Sequence, residues 1–470
     1  MNVVSRLPLV FLRRARAAFL LLGLAALLLL GLAAAPGAGA EPTPRVAAPV
    51  AAAAPTARRY PPVQMRYRPD AGPTGFASAQ PWNYDDPMLW KGVSLERDEP
   101  APWPLGYGSV VVWEGGTKVF LDRDSDGRRR TRLKAIAGVE QLADIEVRYP
   151  GSVQPYRIVV RGLGEERFLG LPVRFLRSRA FPLRFARACH REGRFQGQRF
   201  ALIDDSLNGR YDDFGEDTVR IGDGPIQPLS QVMRFGSRLY HLERVRPDGT
   251  TVLLADYEGP TGRLRAEWRG AGAAEPAMLV FRCVRGEFVN AFFNLAGGEP
   301  SEVPAGHYAL VHGVIKAGAG RTMRFVRIGP GRSRPVAVAP GQTVVHALGA
   351  PCDVEAGVEA SGDGLRVPGR AIRIFGAGGE EYYQFYPASF DAEVSVRAAG
   401  GPVVLAGRTA GRPEKADADR HGMAVMWYPK AVEFGGSIRR GYEAKVDVRS
   451  ELLGRIEGRW HRVEVLEPGP

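Results

Sequence analysis

Two short acidic segments carry the residue types from which a metal site could be made. The first is Asp122-Arg123-Asp124-Ser125-Asp126-Gly127. The second is Asp204-Asp205-Ser206-Leu207-Asn208-Gly209-Arg210-Tyr211-Asp212. Each directly follows a run of strand-forming residues, 119–121 and 200–203. A hard cation such as Ca²⁺ takes roughly six to eight oxygen ligands, and alternate residues of a tight loop can all turn inward to supply them. Glycine at the sixth position allows the backbone to reverse. On this pattern the first loop offers Asp122, Asp124 and Asp126. The second offers Asp204, Ser206, Asn208, the backbone carbonyl of Arg210, and Asp212.

The spacing resembles the loop of EF-hand and dockerin-type calcium sites, and that resemblance implies bound Ca²⁺. Both loops depart from it. The twelfth position, where a bidentate glutamate belongs, holds Leu133 in the first loop and Gly215 in the second. Asp213, Glu216 or Asp217 could substitute in the second loop, whereas Arg123 and Arg128–Arg130 oppose the acids of the first. Strand-type residues flank both loops, in place of the helix pair of an EF-hand. Solvated turns use the same Asp, Asn and Gly, so the plain turn stays open as the alternative. A wider resemblance, to uncharacterised exported bacterial proteins with D-x-D-x-D-G loops between β-domains, covers the loops and implies no reaction.

Motifs for catalysis are absent from the sequence. There is no H-E-x-x-H, no G-x-S-x-G, no phosphate-binding G-x-x-x-x-G-K and no C-x-x-C. Cys189 and His190 are sequence neighbours, which seldom form a thiol–imidazole dyad. The run from Glu380 to Tyr386 mixes carboxylates with aromatics, as a sugar-binding face would, but reads first as aromatics of a β-core.

The elements that must position these loops are strands. Glycine (58) and proline (37) are plentiful, which favours short strands and many turns. Tyr442, Ala444, Val446 and Val448 alternate with Glu443, Lys445, Asp447 and Arg449, and Val394 and Val396 alternate with Glu393, Ser395 and Arg397. Such a period of two predicts antiparallel sheets with one wet face. Pro247-Asp248-Gly249 predicts a hairpin between 238–245 and 251–257. Only 139–145 and 451–456 suit short helices. The expected fold is mainly β: multidomain antiparallel sandwiches of immunoglobulin-like or prealbumin-like type, after a β-rich N-terminal domain that carries the loops. Pro304-Ala305-Gly306-His307-Tyr308 resembles the P-x-G-x-Y strand of prealbumin-like and carboxypeptidase-regulatory-like sandwiches.

Charge and targeting bound the setting. Arg6, Arg13, Arg14 and Arg16 precede an uncharged apolar run, 17–35. Pro36-Gly37 and Ala38-Gly39-Ala40 follow, the arrangement of a cleavable signal segment ending before Glu41. No second apolar stretch of spanning length follows, so no transmembrane segment is expected after cleavage. Residues 41–75 read as a disordered Ala/Pro linker, 76–270 as the loop-bearing domain, 276–350 as a small sandwich and 351–470 as a C-terminal sandwich. The aromatic and proline-rich stretch 82–104 reads as an aperiodic arm across the first of these. The net charge of +12 rests on arginine, since only seven of the 63 basic residues are lysine. The arginines are spread along the chain, so nucleic acid is not expected, and a cell-envelope polymer or surface protein is the expected partner. Cys189, Cys283 and Cys352 read as free thiols, with Cys283–Cys352 the pair that an oxidising compartment would permit.

These features point to an exported protein, periplasmic, surface-bound or secreted, that is not an enzyme and has a structural or ligand-holding role. The alternative is an exported hydrolase or glycan-processing enzyme using acids such as Asp212, Asp213 and Glu216. Metal ligands converge on one point, whereas a catalytic pair faces across a cleft.

Overall fold

The computed structural model describes residues 57–466, except for 73–90, 97–99, 103–104, 106–109, 114–117, 123–129, 135–139, 163–179, 271–273, 319–321, 362–363, 387–389, 410–413, 416–426, 429–430, 435–441 and 463–464. Residues 1–40, read above as a signal segment, the first loop from Arg123 to Arg129, and most of the Ala/Pro stretch therefore lie outside the described residues. Residues 57–470 form one compact unit.

Among the described residues the regular structure is β, apart from 3-10 turns at Gly369–Ala371 and at Thr322. Alternating sequence becomes alternating burial. In Tyr442–Ser450, Ala444, Val446 and Val448 turn inward, and they pair in register with Val396, Val394 and Ala392 of Asp391–Ala398. The predicted hairpin forms between Arg238–Val245 and Thr251–Asp256. Asp248 holds its turn by accepting from the Thr250 amide at 3.0 Å and the Thr250 hydroxyl at 2.7 Å.

Two large apolar cores result. The first is enclosed by four antiparallel sheets built from residues 63–256. In one, Arg66–Pro69, Cys189–Phe195, Gln198–Ile203, Thr218–Ile221 and Ile226–Pro228 lie side by side. In another, Lys91–Glu96, Ala180–Arg187, Ser152–Gly162 and Glu140–Tyr149 do so. The second core gathers residues from Val232 to Ile456 around an eight-stranded sheet. A third, small cluster joins Ile203 and Ile226 to Met278, Val280, Phe292, Val314 and Phe325.

Several local expectations are corrected. Within the stretch read as linker, Val63–Gln64 and Arg66–Pro69 are strands, because Met65 is buried and both short runs find open sheet edges. Within the supposed arm, Lys91–Glu96 pairs with Ala180–Arg187. Neither short helix forms. Glu140–Tyr149 is a strand paired along its full length with 152–161, and residues 451–453 make a turn before the strand Gly454–Ile456. Glu140–Tyr149 is the outer strand of its sheet, and its ten-residue ladder with 152–161 outweighs weak local helix preference. The eight-stranded sheet also crosses residue 350. Arg324–Gly329 pairs with Glu381–Tyr386, so a division expected at 350 falls inside a sheet.

Candidate metal centre in the acidic loop

The second loop joins two neighbouring strands of the five-stranded sheet, Gln198–Ile203 and Thr218–Ile221. The last four residues of the first strand are all buried, so Asp204 enters the loop from inside the core. Two backbone reversals follow, at Leu207 (φ 54) and Gly209 (φ 84). A left-handed leucine costs about 1 kcal/mol, which burial of its side chain to 1% exposure offsets. Gly209 fills the sixth position as the spacing predicts. Tyr211, in the apolar eighth position, is buried beside Tyr156, with ring centroids 6.5 Å apart. Its amide donates to the Pro247 carbonyl at 3.1 Å, which anchors the loop to the hairpin turn.

Asp204 is completely buried. Its Oδ2 accepts from the Tyr156 hydroxyl and the Gly209 amide, both at 2.7 Å. Its Oδ1 accepts from the Ser206 hydroxyl at 3.1 Å and the Asn208 amide at 3.2 Å. Asp217, buried to 1% exposure, accepts from the amides of Ser206 at 3.3 Å and Asp213 at 3.0 Å. Asp213 in turn accepts from the Ser206 hydroxyl at 3.3 Å and from the Asn208 side-chain amide at 2.5 Å. Three carboxylates thus gather around Ser206.

Of the five ligands predicted for this loop, the structure draws Asp204, Ser206 and Asn208 together. Asp212 faces the other way, taking Arg210 Nε at 3.0 Å and Nη2 at 2.8 Å. Asp213 and Asp217, one and five residues further on, stand where Asp212 was expected. Gly215 cannot stand in for the missing glutamate. At φ 84 a Cβ there would lie 2.4 Å from the Phe292 ring, so packing against the second half of the chain denies the twelfth position any side chain. Asp122 ends the strand Lys118–Asp122, and Asp124 and Asp126 lie outside the described residues. Among the described residues no three of His, Cys, Asp and Glu are arranged to hold a metal ion.

What stands behind the carboxylates is a buried arginine, which sequence reading missed. Arg187 has no exposed surface, and its Nη2 forms an ion pair with Asp205, whose other oxygen takes the Thr218 hydroxyl. Arg187 Nε and Nη1 have no hydrogen-bond partner. Burial pulls the Arg187 pKa down while Tyr156, Asp204 and Asp217 push it up. Burial and the neighbouring Asp204 hold Asp217 well above the ordinary carboxylate value, and burial raises Asp204 as well. Two acids in a low-dielectric interior, Asp204 and Asp217, share one guanidinium with the part-buried Asp205. That surplus of negative charge must be met by protons or by a cation.

The remaining candidates resolve into packing. Cys189 is in the core, 3.8 Å from the Tyr211 hydroxyl, while His190 faces the other side of its strand and meets Asp70 at 3.0 Å, so no dyad forms. Tyr382 and Phe385 are buried, and Glu380 takes the Gly349 amide and the Tyr382 hydroxyl, each at 2.6 Å. All three cysteines are free. Neither a protein-family model, nor a curated protein, nor a solved structure matches the chain.

Proposed function

We propose that this chain is an exported, non-enzymatic protein of the cell envelope or surface, a β-scaffold whose second acidic loop is stabilised by calcium. The carrying observation is the pair of buried carboxylates Asp204 and Asp217, whose neighbouring guanidinium, Arg187, is already paired with the part-buried Asp205. A divalent cation is one way to meet the charge of that pair, with Asp204, Ser206, Asp213 and Asp217 as its ligands. The loop now closes through Ser206 and Asn208 hydrogen bonds, so binding requires those donors to turn aside. Weak binding follows, on the order of 10⁻⁴–10⁻³ M as in extracellular modules without a full ligand set. The same reading takes the sheets as sandwich domains of immunoglobulin-like or prealbumin-like type.

The hydrolytic alternative draws less support. Asp212 is engaged by Arg210, and Asp213 by Ser206 and Asn208, so neither faces the other across an open groove.

The test is a melting curve in millimolar Ca²⁺ and in chelator, on the wild type and on Asp213→Asn. Ligand binding to the folded state alone should add roughly 1–3 kcal/mol at ten to a hundred times Kd. A calcium-dependent rise lost in Asp213→Asn supports the reading. No rise in the wild type removes calcium and leaves Arg187 and protons to balance the loop. Export is tested separately, by sequencing the mature N-terminus, which should begin at or near Glu41.

A further inference from the structure

The wet face of the five-stranded sheet gathers arginines that are remote in sequence. Glu192 pairs across the ladder with Arg66 on one side and Ala201 on the other, and Ala201 pairs with Arg220. In the next row Arg194 lies directly opposite Arg199. Arg68 completes the set on the edge strand, two residues from Arg66 and so on the same face. All five arginines are exposed. Glu192 is the acid among them, 3.3 Å from Arg68 and 3.7 Å from Arg199. The side chains of Arg66, Arg194 and Arg220 make no ion pair or hydrogen bond among the described residues. Like charges directly opposite on a ladder destabilise it, so the Arg194–Arg199 pair carries a cost that folding alone does not explain.

Two grooves adjoin on this face. One of about 630 Å³ is walled by Tyr60, Pro61 and Pro62 and by Arg66, Arg68 and Arg194. The other, of about 310 Å³, lies between Arg194, Arg199 and Arg220. They share Glu192 and Arg194, and Asp223 is the one further acid that lines either.

We propose that this face binds an acidic polysaccharide bearing carboxylate groups. The proposal deepens the envelope reading and rests on it only for where such a polymer would be met. Guanidinium forks match planar carboxylates in bidentate fashion, and a row of them suits a chain with one carboxylate per sugar. Single-stranded nucleic acid fits less well, since it stacks on exposed aromatics. Here Phe195 is buried and Tyr60 packs edge-on against it at 5.0 Å. A lipid surface calls for apolar anchors, and none of the exposed large hydrophobics (Leu142, Val153, Val284, Val289, Val345 and Val403) lies on this face.

The test is calorimetric titration of the purified chain with polygalacturonate, neutral dextran, single-stranded DNA and phosphatidylglycerol vesicles. The wild type should bind polygalacturonate and not dextran, more weakly as salt rises. Replacing Arg66, Arg194 and Arg220 together by Gln should weaken binding at least about tenfold, since three charge-assisted contacts to carboxylate are lost at once. The same loss of charge at Arg370, Arg408 and Arg455 should leave it within about twofold, because those arginines lie elsewhere. Equal loss in both triple variants, no binding by the wild type, or tighter binding of DNA or vesicles would each overturn the proposal. Because calcium does not enter this assay and the Asp213 assay contains no polymer, either reading can fail without the other.

Discussion

Replacing Asp204 by alanine tests whether the buried acid holds the loop together. The change orphans four donors. The Ser206 hydroxyl retains Asp213, and the Asn208 amide lies at the rim, within reach of water. The Tyr156 hydroxyl and the Gly209 amide have no such recourse, since both bonds are buried. A buried donor left unsatisfied costs about 1–3 kcal/mol, and Arg187 also loses a neighbouring anion. Relief of the desolvation that raises the Asp204 pKa works in the other direction. The net prediction is a loss of about 3 kcal/mol. Asp212→Ala is the matched control. Its partner Arg210 is about a third exposed, so the pair is worth less than about 1 kcal/mol. Urea denaturation followed by tryptophan fluorescence measures both. Combining Asp204→Ala with Tyr156→Phe should recover about 1 kcal/mol of coupling, because the second change removes one orphaned donor. If Asp204→Ala costs no more than Asp212→Ala, the buried carboxylate does not hold the loop.

Three further outcomes follow from the same structure. Gly215→Ala should cost about 2 kcal/mol or more in the same assay, from a left-handed backbone and collision with Phe292; a neutral result would mean that the loop can shift away from that ring. Asp217 has a raised pKa in the fold, so its contribution is full below the unfolded carboxylate value and is lost as pH rises through the folded one; Asp217→Asn should flatten that decline, and an unchanged profile refutes it. His312 is the opposite case: burial, with Arg327 adding, pushes its pKa down to about 4, so stability should fall by on the order of 2 kcal/mol as pH drops from 6.5 towards 4. His312→Gln should remove that fall.

Sequence alone disclosed the elements whose signals are local. Period-two alternation found Tyr442–Ser450 and Asp391–Ala398, and Pro247-Asp248-Gly249 found its hairpin. The Asp/Gly spacing found a loop that does fold back on Asp204 through the Asn208 and Gly209 amides. What escaped is set by distant pairing. Asp217 replaces Asp212 because the chain re-enters the sheet at Thr218, which draws Asp217 inward; no spacing rule carries that information. Arg187 sits 17 positions before the loop and reaches it only across the core. The arginine face is assembled from strands at 66–69, 189–195, 198–203 and 218–221, and in the linear sequence its members look scattered.

The short segment 63–69 closes two sheets at once. Val63–Gln64 is the outer strand of one, against Thr251–Asp256, and Arg66–Pro69 is the outer strand of another, against Cys189–Phe195. The first core therefore cannot be completed until residue 256 has emerged and folded back on the earliest described strand. Loop closure over such a distance is entropically costly and slow, and meanwhile two rows of backbone donors and acceptors stand open. A chain trimmed to begin after Pro69 would keep those rows open permanently. Its failure would then be one of association, with strand edges of separate molecules pairing in place of the missing segment, and would depend steeply on protein concentration.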